Sequence, residues 1–141
     1  MEKAKSVNRK GLQASRCRII QGDVSCLPFE DGAFDLVTAF ETVYFWPGPT
    51  ESFREVYRTL RPGGIFLIVN EVDGENPRDS RWLSVIDGMR IFDGDQLARF
   101  LTEAGFSEII RNRNAKKHWL CVLAMRENSS LLENEEPSGI S

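Results

Sequence analysis

Three acidic side chains each stand directly after a short apolar run of the kind that forms a buried strand. They are Asp23, Glu41 and Glu71. In an open α/β sheet, ligands bind beyond the carboxyl ends of the strands. A carboxylate at such an end can accept a hydrogen bond from an exocyclic amine or a sugar hydroxyl. A loop or helix-capping carboxylate would explain each residue alone, but the three together predict a binding edge for a nucleotide-like cofactor.

The apolar runs that position these side chains alternate with helical patterns. Strands are predicted at 17–21, 34–40 and 65–69, and the near-continuous apolar character of the second is typical of a strand covered on both faces. A helix is predicted from Thr50, as its N-cap, to Leu60, with apolar residues at i, i+3, i+4 and i+7. A further helical pattern, at residues 2–10 and stopped by Gly11, precedes the first strand.

The second half of the chain adds a helix and two closing strands. Asp93 and Gln96 have the spacing of a capping box, and they introduce a helix with apolar residues over 97–104. The closing strands, 107–111 and 119–125, have no helix between them, which predicts an antiparallel pair. The sequence therefore predicts an α/β fold with a partial Rossmann-like sheet, mainly parallel with an antiparallel C-terminal edge strand.

Composition narrows the class of protein. The 141 residues suffice for one domain, placed at 1–126, and the polar, acidic segment 127–141 is predicted to be a disordered tail. A net charge of −3 argues against nucleic acid as a partner. No apolar run is long enough to cross a membrane and no signal core follows Met1, so we expect a cytoplasmic protein. One histidine and three cysteines without a CxxC pair predict no metal site.

Five short motifs follow one another at characteristic intervals over residues 17–126. They are Gly22-Asp23-Val24, Leu27-Pro28-Phe29, Phe34-Asp35-Leu36-Val37, Leu60-Arg61-Pro62-Gly63-Gly64 and Leu101 to Phe106. This ordered set resembles the class I S-adenosylmethionine-dependent methyltransferases, in the small-molecule branch called methyltransferase type 11 or ubiquinone/menaquinone-biosynthesis-like. No single motif is specific, but their order and spacing are.

The resemblance implies S-adenosylmethionine as the cofactor and assigns residues to it. Asp23 would accept the adenine amino group, and the N–H of Val24 would meet an adenine ring nitrogen. Leu27 would pack on the adenine face. Ala39 and Phe40, at the end of their strand, would lie against the methionine part of the cofactor.

The resemblance also places Glu41 and Tyr44 beside the methyl-transfer site. Glu41 is the candidate base for a small-molecule acceptor that must lose a proton, and a solvated or cofactor-contacting carboxylate is the alternative. Tyr44 is a candidate for orienting the acceptor, with simple packing as the alternative. Residues 46–89 contain aromatic and apolar side chains that would either wall an apolar acceptor pocket or pack in the core.

The departure from the family lies at the start of the chain. The family's first strand with its glycine-rich loop, and the acidic strand after it, have no counterpart here, and no GxGxxG pattern occurs. The strands at 17–21 and 34–40 would then flank a gap. Three outcomes stay open: the two strands pair directly, two chains fill each other's gap as a homodimer, or the chain is a fragment of a longer enzyme, which we favour.

Two functions follow as hypotheses. The first is a methyltransferase acting on a small molecule, truncated and inactive in this form. The alternative is a non-catalytic remnant that serves as a dimerisation or partner-binding module. An NAD-dependent dehydrogenase would share the fold class, but it too requires the absent glycine fingerprint.

Overall fold

A mixed sheet forms the centre of the structure, a computed structural model that describes residues 1–128. Its four strands are β1 (Phe34–Phe40), β2 (Leu60–Asn70), β3 (Ser107–Asn114) and β4 (Trp119–Met125). They lie in the order β1-β2-β4-β3, with β1 parallel to β2 and β4 antiparallel to both of its neighbours. Three of the four strands therefore run in one direction.

The α/β class and the Rossmann-like mixed sheet expected from the sequence are confirmed. The reversed strand is β4, and it lies one place inside the sheet edge instead of at it. Burial explains this position. β4 lies between two neighbouring strands, and its side chains Leu120, Val122 and Ala124 are fully or almost fully buried. The edge goes to β3, whose residues are mostly polar and exposed and can face water.

Helices cover one face of this sheet. They are α3 (Pro49–Thr59) and α5 (Gly94–Glu103), with the shorter α4 (Ser80–Val85) near the carboxyl ends of the strands. Short 3-10 turns at Val43–Phe45 and Pro77–Asp79 complete this side of the molecule. The core between α3, α5 and the sheet includes the buried side chains of Phe53, Val56, Phe66, Ile68, Leu97 and Leu101.

The helix ends are set by local chemistry. The capping box predicted at Asp93 and Gln96 is confirmed, with both of its reciprocal hydrogen bonds formed. Thr50 is not the N-cap of α3, because the helix already begins at Pro49, where the fixed φ of proline suits the first helical position. The Thr50 hydroxyl instead donates to Oε2 of Glu103 at 3.0 Å, which links α3 to α5.

The N-terminal segment is less regular than predicted. The helix expected at 2–10 is divided into α1 (Glu2–Val7) and α2 (Arg9–Gln13), and neither has a buried residue. The strand predicted at 17–21 does not form within the described part of the chain. Open clefts separate this segment from β1, one of about 570 Å³, so its backbone lacks the neighbour at about 4.8 Å that a strand requires. The segments 17–21 and 34–40 therefore do not pair directly with each other.

The second face of the sheet is apolar and lacks a helical cover within residues 1–128. Side chains that lie opposite one another in the register share this face. Leu36 and Phe40 on β1 are 54% and 56% exposed, and Ile110 on β3 is 62% exposed. The half-buried members are Ile65, Leu67, Val69, Cys121, Leu123 and Met125. The free edge of β1 lies beside this surface.

Candidate functional site

An arginine and a glutamate on α3 hold the loop that follows the predicted Gly-Asp-Val motif. The guanidinium of Arg58 donates to the carbonyls of Phe29 at 2.8 Å and Leu27 at 3.1 Å. It also pairs with Asp31 at 2.7 Å and with Glu55 at 2.9 Å. These partners raise the pKa of Arg58, and the same arginine lowers the pKa of Glu55. The loop is therefore fixed to the helix by charge-assisted hydrogen bonds.

Sequence reasoning missed these two residues, although their i, i+3 spacing on α3 was a usable signal. Glu55 also accepts a hydrogen bond of 2.9 Å from the N–H of Leu27. The pair thus fixes both backbone polar groups of Leu27, one of the predicted cofactor contacts. Their role is to position the loop, since neither side chain lines the cleft described next.

A cleft of about 330 Å³ lies between this loop and the free edge of β1, and we call it the edge cleft. Its walls come from the loop, from the end of β1 and from the segment after it. They include Ile20, Val24, Leu27, Thr38, Thr42 and Trp46. The surface is mainly apolar, with threonine side chains at one side, which suits a flat ring carrying polar edges.

The predicted cofactor residues fall at different places around the edge cleft. Val24 and Leu27 line it. Asp23 is exposed beside Val24, and the N–H of Ser25 donates to its Oδ1 at 2.8 Å. That hydrogen bond lowers the pKa of Asp23, so the group is a carboxylate at neutral pH with its remaining lone pairs available.

Ala39 and Phe40 do not line the edge cleft. Ala39 is 2% exposed and faces the core, whereas Phe40 is 56% exposed and faces the uncovered side of the sheet. Thr38 and Thr42 reach the cleft instead. Ala39 points away from the cleft because side chains alternate between the two faces of a strand. Phe40 shares a face with Thr38 but lies two residues further along β1.

A second cavity, of about 430 Å³, lies at the carboxyl ends of β1 and β2, and we call it the aromatic cavity. Its walls combine apolar side chains with charged ones, among them Glu71, Asp79, Arg81 and Lys117. The lining includes Glu41, Val72, Trp82, Ile86, Met89 and His118. The segment 41–46 lies between the two sites, since Glu41 lines this cavity while Thr42 and Trp46 line the edge cleft.

Glu41 has a backbone conformation that a non-glycine residue rarely adopts, with φ of 56°. The N–H of Glu71 donates to its Oε1, and its own N–H donates to the carbonyl of Val69 at 3.0 Å. Partial burial and the nearby Glu71 carboxylate raise the pKa of Glu41 above its ordinary value. These contacts and a hydrogen bond with the Tyr44 side chain hold the carboxylate in the wall of the cavity.

Tyr44 lies inside the fold and does not line either site. It is 2% exposed, and its hydroxyl accepts a hydrogen bond of 3.1 Å from the N–H of Val72. Burial raises the pKa of Tyr44, so the phenol is neutral at any physiological pH. The side chain ties the turn after β1 to the chain after β2, and so it supports the position of Glu41.

A buried ionic cluster borders the aromatic cavity, and sequence reasoning did not find it. Asp73 is 1% exposed and contacts Nε of Arg113 at 2.5 Å and Nδ1 of His118 at 3.4 Å. Burial opposes the charge of Asp73, but the hydrogen bonds from Arg113 and from the N–H of Glu75 outweigh it and lower the pKa of the carboxyl. Residues 40 positions apart in sequence form this pair, so no local pattern indicated it.

Within residues 1–128, no helix is long and apolar enough to span a membrane. The same residues contain no group of three or more His, Cys, Asp or Glu side chains arranged to hold a metal ion. The tail predicted from residue 127 lies, from 129 onward, outside the described residues, and the cytoplasmic location stays a prediction.

Comparison with known proteins agrees with the fold. Residues 1–68 match the family described as "Methyltransferase domain". The chain is 30% identical over 117 residues to the chloroplastic 2-methyl-6-phytyl-1,4-hydroquinone methyltransferase of Spinacia oleracea, covering 81% of this chain and 32% of that protein. It is 28% identical over 115 residues to 24-methylenesterol C-methyltransferase 2 of Oryza sativa, covering 75% of this chain and 32% of the relative.

Solved structures share the fold. A SAM-dependent methyltransferase from Thermotoga maritima superposes with a TM-score of 0.71 at 19% identity, covering 89% of this chain and 70% of that one. The [4+2]-cyclase SpnF also superposes with a TM-score of 0.71, at 20% identity, covering 88% of this chain and 61% of that one. Because a cyclase shares the fold, the fold by itself does not define the reaction.

A Rossmann-like sheet with a cavity at the carboxyl ends of its strands defines an α/β protein of the class that binds its ligands at that edge. Within that class, the predicted resemblance to the class I S-adenosylmethionine-dependent methyltransferases is confirmed, since residues 1–68 match the methyltransferase-domain family and the relatives and the Thermotoga maritima structure above carry that activity by name. S-adenosylmethionine is therefore its family cofactor, as the sequence predicted. The chain spans about a third of the length of the two relatives above.

Proposed function

We propose that this chain binds the adenosine part of S-adenosylmethionine in the edge cleft and contributes to methyl transfer to a small apolar acceptor in the aromatic cavity. The observation that carries the proposal is the adjacency of the two sites across segment 41–46. A methyl donor and its acceptor must meet in line, and neighbouring sites with a shared wall favour that arrangement.

The residues of the edge cleft fit the adenosine end of the cofactor. Val24 and Leu27 supply apolar surface for a purine ring, and Asp23 supplies an ionised acceptor for an exocyclic amine. Thr38 and Thr42 offer hydroxyls at the other side. When bound, S-adenosylmethionine supplies a methyl group on a sulfonium and leaves as a neutral thioether.

The acceptor is proposed to be a hydrophobic molecule with a polar head. Trp82, Ile86 and Met89 offer apolar walls, and Glu41 at the rim offers a hydrogen-bond acceptor. The relatives named for sterol and hydroquinone methylation act, by name, on molecules of this kind. Tyr44 is proposed to support the position of Glu41 without touching the acceptor.

Replacing Asp23 tests the cofactor site. Asp23→Ala removes the proposed partner of the adenine amino group, so we expect S-adenosylhomocysteine to bind less tightly by about 1–3 kcal/mol, or about 5–150-fold in Kd. Calorimetric titration of both proteins measures the change.

The matched control for this experiment is Asp35→Ala, which removes an exposed carboxylate of β1 that pairs with Arg61. It should leave the affinity unchanged. Equal affinity of the wild-type and Asp23→Ala proteins would remove Asp23 from the site, and no binding by the folded wild type would refute cofactor binding by this chain.

From the uncovered sheet face and the free edge of β1 we infer self-association as an alternative to cofactor binding, because a strand paired there would occupy the edge that borders the edge cleft. The strand contains no lysine or proline, which are common protections of an exposed edge. Pairing of β1 with the β1 of a second copy would satisfy its outer backbone groups and bring two sets of Leu36 and Phe40 together. The homodimer expected from the sequence therefore remains a proposal, with β1 as the strand that pairs.

The double variant Leu36→Lys, Phe40→Lys tests self-association. Two lysines on this face would place like charges against each other across the pairing, so we expect a protein of dimer mass to become monomeric in light scattering. Val85→Lys is the control, because Val85 is 73% exposed on α4, away from β1. A wild-type protein that is already monomeric at high micromolar concentration would contradict the inference.

A further inference from the structure

His118 lies in the turn between β3 and β4 and lines the aromatic cavity. Its Nδ1 is 3.4 Å from Oδ2 of Asp73 and is buried without a hydrogen-bond donor or acceptor within the described residues. The side chain as a whole is 36% exposed. Since Nδ1 is covered, Nε2 is the ring nitrogen that can reach the cavity.

The carboxylate that faces this histidine is held firmly. Asp73 is 1% exposed, and it accepts hydrogen bonds from Nε of Arg113 at 2.5 Å and from the N–H of Glu75 at 3.0 Å. A fixed carboxylate beside Nδ1 favours the tautomer with the proton on Nδ1 and leaves the lone pair on Nε2. His118 also has φ of 58°, the left-handed conformation at the end of the turn that leads into β4.

We propose that His118 is the general base of the aromatic cavity and that it acts on an acceptor with a phenolic hydroxyl, while Asp73 is the residue that positions it. The inference rests on the proposed function, because it assigns the acceptor to the same cavity. Trp82 and Met89 provide the surface on which an aromatic ring would pack. The pair lies on the chain after β2 and on the β3–β4 turn, away from every motif that the sequence resemblance used.

Methyl transfer to an acceptor hydroxyl requires the hydroxyl to lose its proton. The O–H bond breaks, its proton goes to Nε2 of His118, and its electron pair stays on oxygen and forms the new bond to the methyl carbon. The bond between that methyl group and the donor sulfur breaks with its electrons on sulfur. The imidazolium then releases the proton to water, and Asp73 stabilises the cation while it exists.

Other charged groups also line the cavity. Oε1 of Glu41 accepts the N–H of Glu71, and Arg81 and Lys117 offer only hydrogen-bond donors. Asp79 is 8% exposed, and its Oδ2 has no hydrogen-bond partner within the described residues. His118 differs from all of them in having a fixed carboxylate, Asp73, beside one of its ring nitrogens. Glu41 is left to accept a hydrogen bond from the acceptor.

The test uses the fact that the full chain contains one histidine, so its imidazole signals are unambiguous. Long-range ¹H–¹⁵N correlation spectra at pH 8 give the tautomer, and the chain is then titrated with hydroquinone and, separately, with 1,4-dimethoxybenzene. We expect the proton on Nδ1, a saturable shift of the Nε2 resonance with hydroquinone, and no such shift with the ether. No methyl donor is added, so this result is independent of the cofactor titration.

His118→Gln should weaken hydroquinone binding about 5–10-fold in tryptophan fluorescence, the loss of one hydrogen bond. Lys116→Gln, an exposed change in the same turn, should have no effect. A proton on Nε2, an unshifted Nε2 resonance, or equal shifts with hydroquinone and its ether would each overturn the proposal. These readings come from the wild-type protein, so they stand even if a variant fails to fold.

Discussion

Phe66→Ala is expected to lower the free energy of unfolding by about 3–5 kcal/mol, the cost of removing a large aromatic side chain from a packed core. Phe66 is 0% exposed at the centre of β2. Its ring stacks on Trp46 at 6.0 Å and meets Phe53 at 5.5 Å and Phe106 at 5.8 Å. The truncation therefore leaves a cavity where β2, α3 and the chain after α5 meet.

Denaturant unfolding followed by circular dichroism measures this loss. Phe40→Ala is the matched control, since Phe40 is 56% exposed on β1, and it should change the stability by less than about 1 kcal/mol. Equal losses in the two variants would mean that Phe66 is not the centre of the core. Trp46 also lines the edge cleft, so Phe66→Ala should weaken S-adenosylhomocysteine binding as well if that cleft is the cofactor site.

Asp73→Asn is expected to cost about 1.5–3 kcal/mol at neutral pH, because the buried carboxylate loses its charge-assisted hydrogen bond from Arg113. Arg113 loses its contact with Asp73 and keeps only its pairing with Glu75 at 2.8 Å. Glu75→Gln is the control, because Glu75 is 53% exposed and its pair with Arg113 is worth about 1 kcal/mol or less.

The stability lost in Asp73→Asn should also depend on pH. The pKa of Asp73 is lowered in the folded state, so its charge stabilises the fold above the ordinary aspartate value and this contribution is lost as pH falls through the folded pKa. The difference in free energy of unfolding between wild type and Asp73→Asn should therefore be largest at pH 6–7 and decrease below about pH 4. A difference that stays constant from pH 7 to pH 3 would contradict the lowered pKa.

The sequence alone predicted the class of fold because the relevant signals are local. The apolar runs of β1, β2 and β4, the amphipathic face of α3 and the capping box of α5 each depend on residues close together in the chain. The motif around Asp23 depended on residue order in the same way. The family and its cofactor followed from the order of such motifs.

Local patterns could not decide whether a strand finds a partner. Residues 17–21 have the composition of a strand, but a ladder requires a second backbone within hydrogen-bonding distance, and the structure places a cleft there. For the same reason, the reversed position of β4 inside the edge depended on the burial of its side chains between β2 and β3.

The sequence by itself named Asp23, Val24, Leu27 and Glu41, which the structure places at or beside the two sites, and their roles stay predictions. Only the tertiary structure decided that Ala39, Phe40 and Tyr44 point elsewhere, since the covered face of a sheet is fixed by packing of distant elements. It alone brought Asp73, Arg113 and His118 together. Contacts between charged groups far apart in sequence arise from chain folding, and no spacing along the sequence records them.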